Sequence, residues 1–135
     1  MYTTGVEMSQ IMDVYSKMSG NENEPGVITG KPLSLGGSLA RNVATGLGCA
    51  YCVREAAKTI GLRLKGATVV IQGYGNAGTF TAEYLEKMGA KIIGVSDTKG
   101  SIINPKGLDS KKVLEFKNKT GSVVGYPGSK KRSEE

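Results

Sequence analysis

Gly73-Tyr74-Gly75-Asn76-Ala77-Gly78 is the stretch of this 135-residue chain whose residue types and spacing most plainly suit a chemical task. Its glycines stand in a GxGxxG pattern, directly after the apolar run Ala67-Thr68-Val69-Val70-Ile71-Gln72 and at the start of a helical periodicity. Each glycine has its own physical reason there. Gly73 permits a tight turn, Gly75 lets the backbone approach a pyrophosphate, and Gly78 allows a helix to pack closely on a strand. The free N–H groups of a helix start suit phosphate anions. Asp97 follows Gly78 by 19 residues and ends the next apolar run, where a carboxylate can accept hydrogen bonds from an adenosine ribose. The expected ligand is therefore a dinucleotide, NAD or NADP. Thr98 and Lys99 come next, and Lys99 has two readings: a cation that neutralises a 2′-phosphate, or a solvated surface lysine. The choice between the two cofactors stays open.

The elements that must position these residues form one βαβ unit. The run 67–72 is β-branched and continuous, as expected of a parallel strand buried on both faces. A helix over about 77–88 carries Phe80, Tyr84, Leu85 and Met88 on one stripe and is ended by Gly89. Lys91 to Ser96 is a second buried strand. Beyond it, Ser101 to Ile103 reads as a short strand, 104–107 as a turn, and Ser110 as the cap of a helix reaching about Lys119. Upstream, Met8, Ile11, Met12, Tyr15 and Met18 recur at helical spacing over 6–18 and predict one buried stripe. The polar stretch 20–25 is a loop. A helix over about 44–60 would bury Ala50, Val53, Ala57 and Ile60, with Gly61 as a left-handed end. The fold class is α/β, a Rossmann-like parallel sheet with flanking helices, incomplete in that it comprises the first βαβ half. Residues 1–35 form a helix and linker, 36–127 a partial dinucleotide-binding domain, and 128–135 a basic tail.

Composition narrows the chemistry further. The chain has no His, which removes the usual histidine zinc sites and the Ser-His-Asp and Cys-His arrangements. No metal site is expected within it, and any acid/base work would fall to Lys, Asp or Glu. The net charge of +6 is uneven: residues 1–110 hold 11 basic and 9 acidic side chains, whereas 111–135 hold 7 and 3. The excess ends in Lys130, Lys131 and Arg132, a solvated terminus without interleaved aromatic residues, so no nucleic-acid partner is expected. The apolar runs are far shorter than the roughly 20 residues that cross a bilayer, and no secretory signal opens the chain. No membrane partner and a cytoplasmic location follow as expectations. Cys49 and Cys52 have CxxC spacing inside a helix and read as small buried thiols. Thr29-Gly30-Lys31-Pro32 looks phosphate-like, but Pro25 and Pro32 stand where a P-loop needs Gly and a hydroxyl.

Several segments occur together in an order that carries more than the glycine motif does. Tyr2-Thr3-Thr4, Tyr15-Ser16-Lys17, Thr29 to Pro32, Gly36-Gly37-Ser38 with Arg41, Ala44-Thr45-Gly46, Gln72 to Gly78, Ser96-Asp97 and Asn104 to Gly107 follow one another. In this the chain resembles the glutamate dehydrogenases of the Glu/Leu/Phe/Val dehydrogenase family, over Tyr2 to at least Pro127. The resemblance implies an enzyme that oxidatively deaminates L-glutamate to 2-oxoglutarate and ammonia with NAD or NADP, as a cytoplasmic homo-hexamer. It would set Thr45 and Asn76 near the nicotinamide carboxamide, with Arg41 ordering that region, Gly73 to Gly78 on the pyrophosphate and Asp97 on the ribose. Arg41 and Thr45 also have a simpler reading, as groups that satisfy a helix start. The family's catalytic lysine, glutamate-binding lysines and catalytic aspartate are expected before Met1, and its remaining strands after Pro127. An internal slice of this kind should turn over little substrate alone. The alternatives are a non-catalytic nucleotide-binding or subunit-interaction module, and a decayed gene remnant.

Overall fold

The computed structural model describes residues 3–20 and 23–132, for Arg132 the backbone only. Tyr2, part of the 20–25 loop and the end of the basic tail (133–135) lie outside the described residues. The elements are α1 (Gly5–Met18), α2 (Arg41–Thr59), β1 (Thr68–Gln72), α3 (Asn76–Lys87), β2 (Lys91–Asp97), β3 (Gly100–Ile103), α4 (Ser110–Thr120) and β4 (Lys130–Arg132). A 3-10 turn covers Leu33–Leu35. The chain forms two compact units, Met1–Ala44 and Thr45–Glu135.

In the first unit, α1 begins with a capping box. The Thr4 hydroxyl accepts the Val6 N–H at 3.2 Å while the Glu7 carboxylate accepts the Thr4 N–H at 2.5 Å. Of the expected stripe only Met12 is buried; Ile11, Tyr15 and Met18 are exposed, Met18 at 83%. Periodicity gave the helix correctly, but a stripe is buried only where something packs on it. The segment Thr29 to Pro32 has a structural task. Lys31 is buried, and its ammonium donates to the carbonyls of Pro25 at 2.6 Å and Ile28 at 2.5 Å. A Cβ on Gly37 would fall 2.2 Å from the Lys31 carbonyl oxygen, so only glycine fits against this turn.

The second unit holds one sheet in the order β1-β2-β3-β4. β1 and β2 are parallel, as a βαβ unit requires, while β2–β3 and β3–β4 are antiparallel, so the sheet is mixed. Its core face carries Ile71, Ile92, Val95 and Ile102, packed with Ala82 and Leu85 of α3, Val113 of α4 and Val123. The other face is exposed along β1, whereas Gly94 and Ser96 of β2 are buried on it. Val70 is 66% exposed, so β1 is buried on one side and not on both, and among the described residues its outer edge has no strand partner. The expected basic tail also differs: Lys130–Arg132 is β4, paired with Ser101, Ile102 and Ile103, although the Lys130 and Lys131 side chains stay exposed. Backbone pairing of a strand edge is indifferent to side-chain charge, and so invisible to composition.

Three smaller expectations change as well. Ile60 is 75% exposed, beyond the helix end where Gly61 takes φ +69. The cap of α4 is Asp109, whose carboxylate accepts the Lys112 N–H at 3.0 Å; Ser110 is the first helical residue and is buried. Cys49 and Cys52 are exposed free thiols, because the buried side of α2 runs through Gly46, Ala50 and Ala57. No helix of the described residues is long and apolar enough to cross a membrane, and among those residues no three or more Cys, Asp or Glu side chains come together in a group that could hold a metal ion.

Candidate functional site

The glycine loop is fixed by contacts that explain two of its three glycines from within the chain. Gly73 takes φ +89, a left-handed turn that L side chains rarely adopt. Its N–H and that of Tyr74 both donate to the Ser96 carbonyl, at 3.1 and 2.6 Å, which ties the loop to the end of β2. At Gly78 a Cβ would sit 2.0 Å from the Gly73 carbonyl oxygen. α3 therefore starts pressed on the turn that precedes it. Gly75 is different: φ −89 and ψ −160 suit any residue, and a Cβ there would meet nothing within 4 Å. No neighbour among the described residues demands that glycine. The open space above it is what an external group needs in order to approach the backbone.

Gly75 is also the N-cap of α3, and no side chain caps that helix. Intrahelical bonding begins with the Thr79 N–H on the Gly75 carbonyl at 2.9 Å, so the N–H groups of Ala77 and Gly78 precede it without a helical acceptor. Beside this turn lies a cavity of about 320 Å³ lined by Tyr74, Gly75, Asn76, Thr79, Phe80, Leu114, Lys117 and Asn118. Helix N-terminus, exposed glycine backbone and a lysine together suit an anionic ligand. Gly73, Gly75, Asn76 and Ala77 are exposed, whereas Tyr74 is 1% exposed and turned into the core.

Asp97 stands at the end of β2, as its spacing required, but its carboxylate is engaged by the chain itself. Oδ1 accepts the Lys99 N–H at 2.9 Å and the Ser122 hydroxyl at 3.2 Å. Oδ2 accepts the Val123 N–H at 2.7 Å and lies 4.0 Å from the Lys117 ammonium. The side chain is 5% exposed. Burial alone would raise its pKa, but the two backbone donors, Ser122 and Lys117 outweigh it and hold the group below its ordinary 3.8. Asp97 is thus a pin between β2 and the 121–124 segment, with one acceptor position on Oδ2 left for anything else. Thr98 and Lys99 are exposed, and the Lys99 ammonium passes 3.6 Å from where a Gly121 Cβ would be.

The remaining candidates lie on α2. Thr45 is exposed and precedes Gly46, the point where α2 meets α3: a Cβ on Gly46 would be 2.5 Å from the Phe80 Cβ, 2.7 Å from the Ala77 carbonyl and 2.8 Å from the Thr81 nitrogen. That contact sets Thr45 next to the first turn of α3. Arg41 is exposed and lines a cavity of about 380 Å³ in the first unit with Lys31, Ser38 and Asn42. Lys117 was missed by the sequence reading. It stands on another helix, more than forty positions after the loop whose carbonyl it holds, and no local spacing marks it.

A parallel βαβ unit with a glycine loop at the start of its helix is the arrangement of a partial Rossmann-like dehydrogenase domain. The family model for Glutamate/Leucine/Phenylalanine/Valine dehydrogenase matches residues 36–135. The chain belongs to that family. It is 49% identical over 128 residues to an NADP-specific glutamate dehydrogenase of Saccharolobus shibatae, covering 95% of this chain and 30% of that protein. It is 45% identical over 124 residues to a cryptic catabolic NAD-specific glutamate dehydrogenase of Bacillus subtilis, covering 92% and 29%. Among solved structures, the hetero-hexameric glutamate dehydrogenase of Thermus thermophilus in a leucine-bound form superposes with a TM-score of 0.82 at 40% identity, covering 92% of this chain and 30% of that one. The chain thus spans about 30% of the length of the relatives it matches.

Proposed function

We propose that this chain is the NAD(P)-binding portion of an amino-acid dehydrogenase acting on L-glutamate, and that residues 36–127 form the first part of its dinucleotide-binding domain. Gly75 carries the reading, a glycine that neither backbone angle nor neighbour requires, open at an uncapped helix start. The N–H groups of the first turn of α3 would hold the diphosphate, and Asn76 and Thr45 would flank the nicotinamide end. Asp97 would shape the ribose end chiefly by fixing Lys99 and Ser122, with its one remaining acceptor position for a ribose hydroxyl. When bound, the nicotinamide supplies a hydride acceptor; this chain binds and orients it. Relatives named as NAD-specific and as NADP-specific are about equally similar, so the proposal covers either cofactor. A cytoplasmic setting belongs to the same proposal, as two free exposed thiols suit a reducing compartment.

The residues that would bind glutamate and transfer its protons are not among those this reading uses. The expected activity of the chain alone is therefore negligible, and glutamate, 2-oxoglutarate and a hexameric assembly concern the longer protein. Titration of the purified chain with NADH and NADPH, followed by nicotinamide fluorescence and calorimetry, tests the proposal. Saturable binding of at least one supports it. Absence of binding to both at millimolar concentration overturns it, and glutamate-dependent reduction of the cofactor at an appreciable rate would refute the non-catalytic part.

A further inference from the structure

We propose that α4 buttresses the glycine loop and that Tyr74 is the positioning residue through which it does so, presetting the loop for a diphosphate group. The inference rests on the dinucleotide reading above and adds to it a hydroxyl whose hydrogen bond lies inside the chain. An anion is bound by a loop that presents N–H groups outward and keeps its carbonyl oxygens turned away. At Tyr74 the second need is met by another element, and the N–H is held inward as well, which leaves the outward N–H groups to the first turn of α3. Its N–H is taken by the Ser96 carbonyl, and its own carbonyl accepts the Lys117 ammonium, at 2.5 Å, from the last turns of α4. Its hydroxyl, buried, donates at 2.9 Å to the carbonyl of Ser110, the first residue of α4.

The same helix start is held by α3. Glu86 accepts the Ser110 N–H at 3.2 Å on one oxygen and the Ser110 hydroxyl on the other. A closed circuit results: from the glycine loop along α3 to Glu86, across to Ser110, and back through the Tyr74 hydroxyl to the loop. Glu86 lies ten residues into a helix that starts at Asn76, about 15 Å from the loop along the axis. Burial first, then the nearby carboxylates of Glu86 and Asp109, push the Tyr74 hydroxyl well above its ordinary pKa, so it stays a proton donor across the working pH range. The circuit fixes the angle at which α3 leaves the loop, and with it the direction of the N–H groups that face the cavity.

The test uses the full chain and two probes, ADP and adenosine, which differ in the diphosphate. Tyr74→Phe keeps the ring and removes the hydroxyl. Its affinity for ADP should fall about fivefold, within the range by which a residue that makes no ligand contact modulates binding, while adenosine binding, followed by amide NMR shifts, stays unchanged. Glu86→Gln, at the far end of the circuit, should show the same selective loss. The double variant should lose no more than the worse single one, as expected for members of one network. A lowered melting temperature with wild-type ADP affinity, or equal losses for ADP and adenosine, would make Tyr74 a packing residue and overturn the proposal. Failure of the unmodified chain to bind ADP would overturn the dinucleotide reading itself.

Discussion

Gly75 and Gly78 stand three residues apart in one motif, yet the structure assigns them opposite kinds of necessity, and alanine at each separates the two. At Gly78 the new Cβ would lie 2.0 Å from the Gly73 carbonyl oxygen. A carbon and an oxygen settle at roughly 3.3 Å, so the turn and the helix must part by about 1.3 Å, and the obstacle is backbone that no rotamer relieves. Overpacking of this kind costs about 3 kcal/mol, which for a chain of this size lowers the melting temperature by roughly 10 °C. Gly75→Ala adds a methyl into open space at ordinary angles, so its stability cost is that of alanine for glycine at an N-cap, about 1 kcal/mol or less. The methyl stands where the diphosphate must come, so affinity for NADH or ADP should fall about tenfold or more. Thermal unfolding by circular dichroism and a binding titration on the two variants decide the matter. A Gly75→Ala chain that binds as the wild type does, or a Gly78→Ala chain that melts with it, would refute the geometric argument.

Three further outcomes follow from the same contacts. Gly46→Ala forces α2 away from Ala77, Phe80 and Thr81 and should cost about 2 kcal/mol, whereas Gly48→Ala, with nothing within 4 Å of its Cβ in the same helix, should gain up to about 1 kcal/mol; melting temperatures of the pair check both signs. Asp97 titrates below its ordinary 3.8 in the folded chain, so its contribution is complete above the unfolded value and lost as pH falls through the folded one. Wild type should therefore exceed Asp97→Asn in stability by a constant margin above about pH 5, and the margin should close toward pH 2; a margin that persists in acid would show that packing and not charge is at work. Cys49 and Cys52 should both react rapidly with an aromatic disulfide reagent in the native state, and slow reaction until denaturant is added would contradict the exposed placement.

How much of this was legible beforehand depends on how local its cause is. The βαβ unit, the glycine loop and the place of Asp97 follow from neighbouring residues: a β-branched run, a glycine where a turn needs positive φ, a carboxylate at a strand end. They were read to within one or two residues. What failed were inferences from residue type to burial at particular faces, while Met12, Ala50, Ala57, Leu85 and the second strand are buried as expected. Val70 looks like the centre of a strand buried twice over, and Cys49 and Cys52 look like core, but a face is buried only by what packs on it. Nothing among the described residues covers those faces of β1 and α2.

Distance along the chain explains the other omissions. β4 is a run of basic residues that no strand propensity favours, and it exists because the β3 edge offers backbone partners. Lys117, Ser110 and Glu86 reach the glycine loop only once α4 has folded back on α3, and the motif that announces the loop holds no trace of them. The same logic applies to Asp97. Its position in the motif is local and was read correctly, while the engagement of its oxygens comes from Ser122 and Val123, twenty-five and twenty-six residues away. A fingerprint thus identifies where a ligand can be met. The supports that make its geometry rigid enough to bind are written elsewhere in the chain, and substitutions at Tyr74 or Glu86 should alter binding while leaving every letter of the GxGxxG pattern in place.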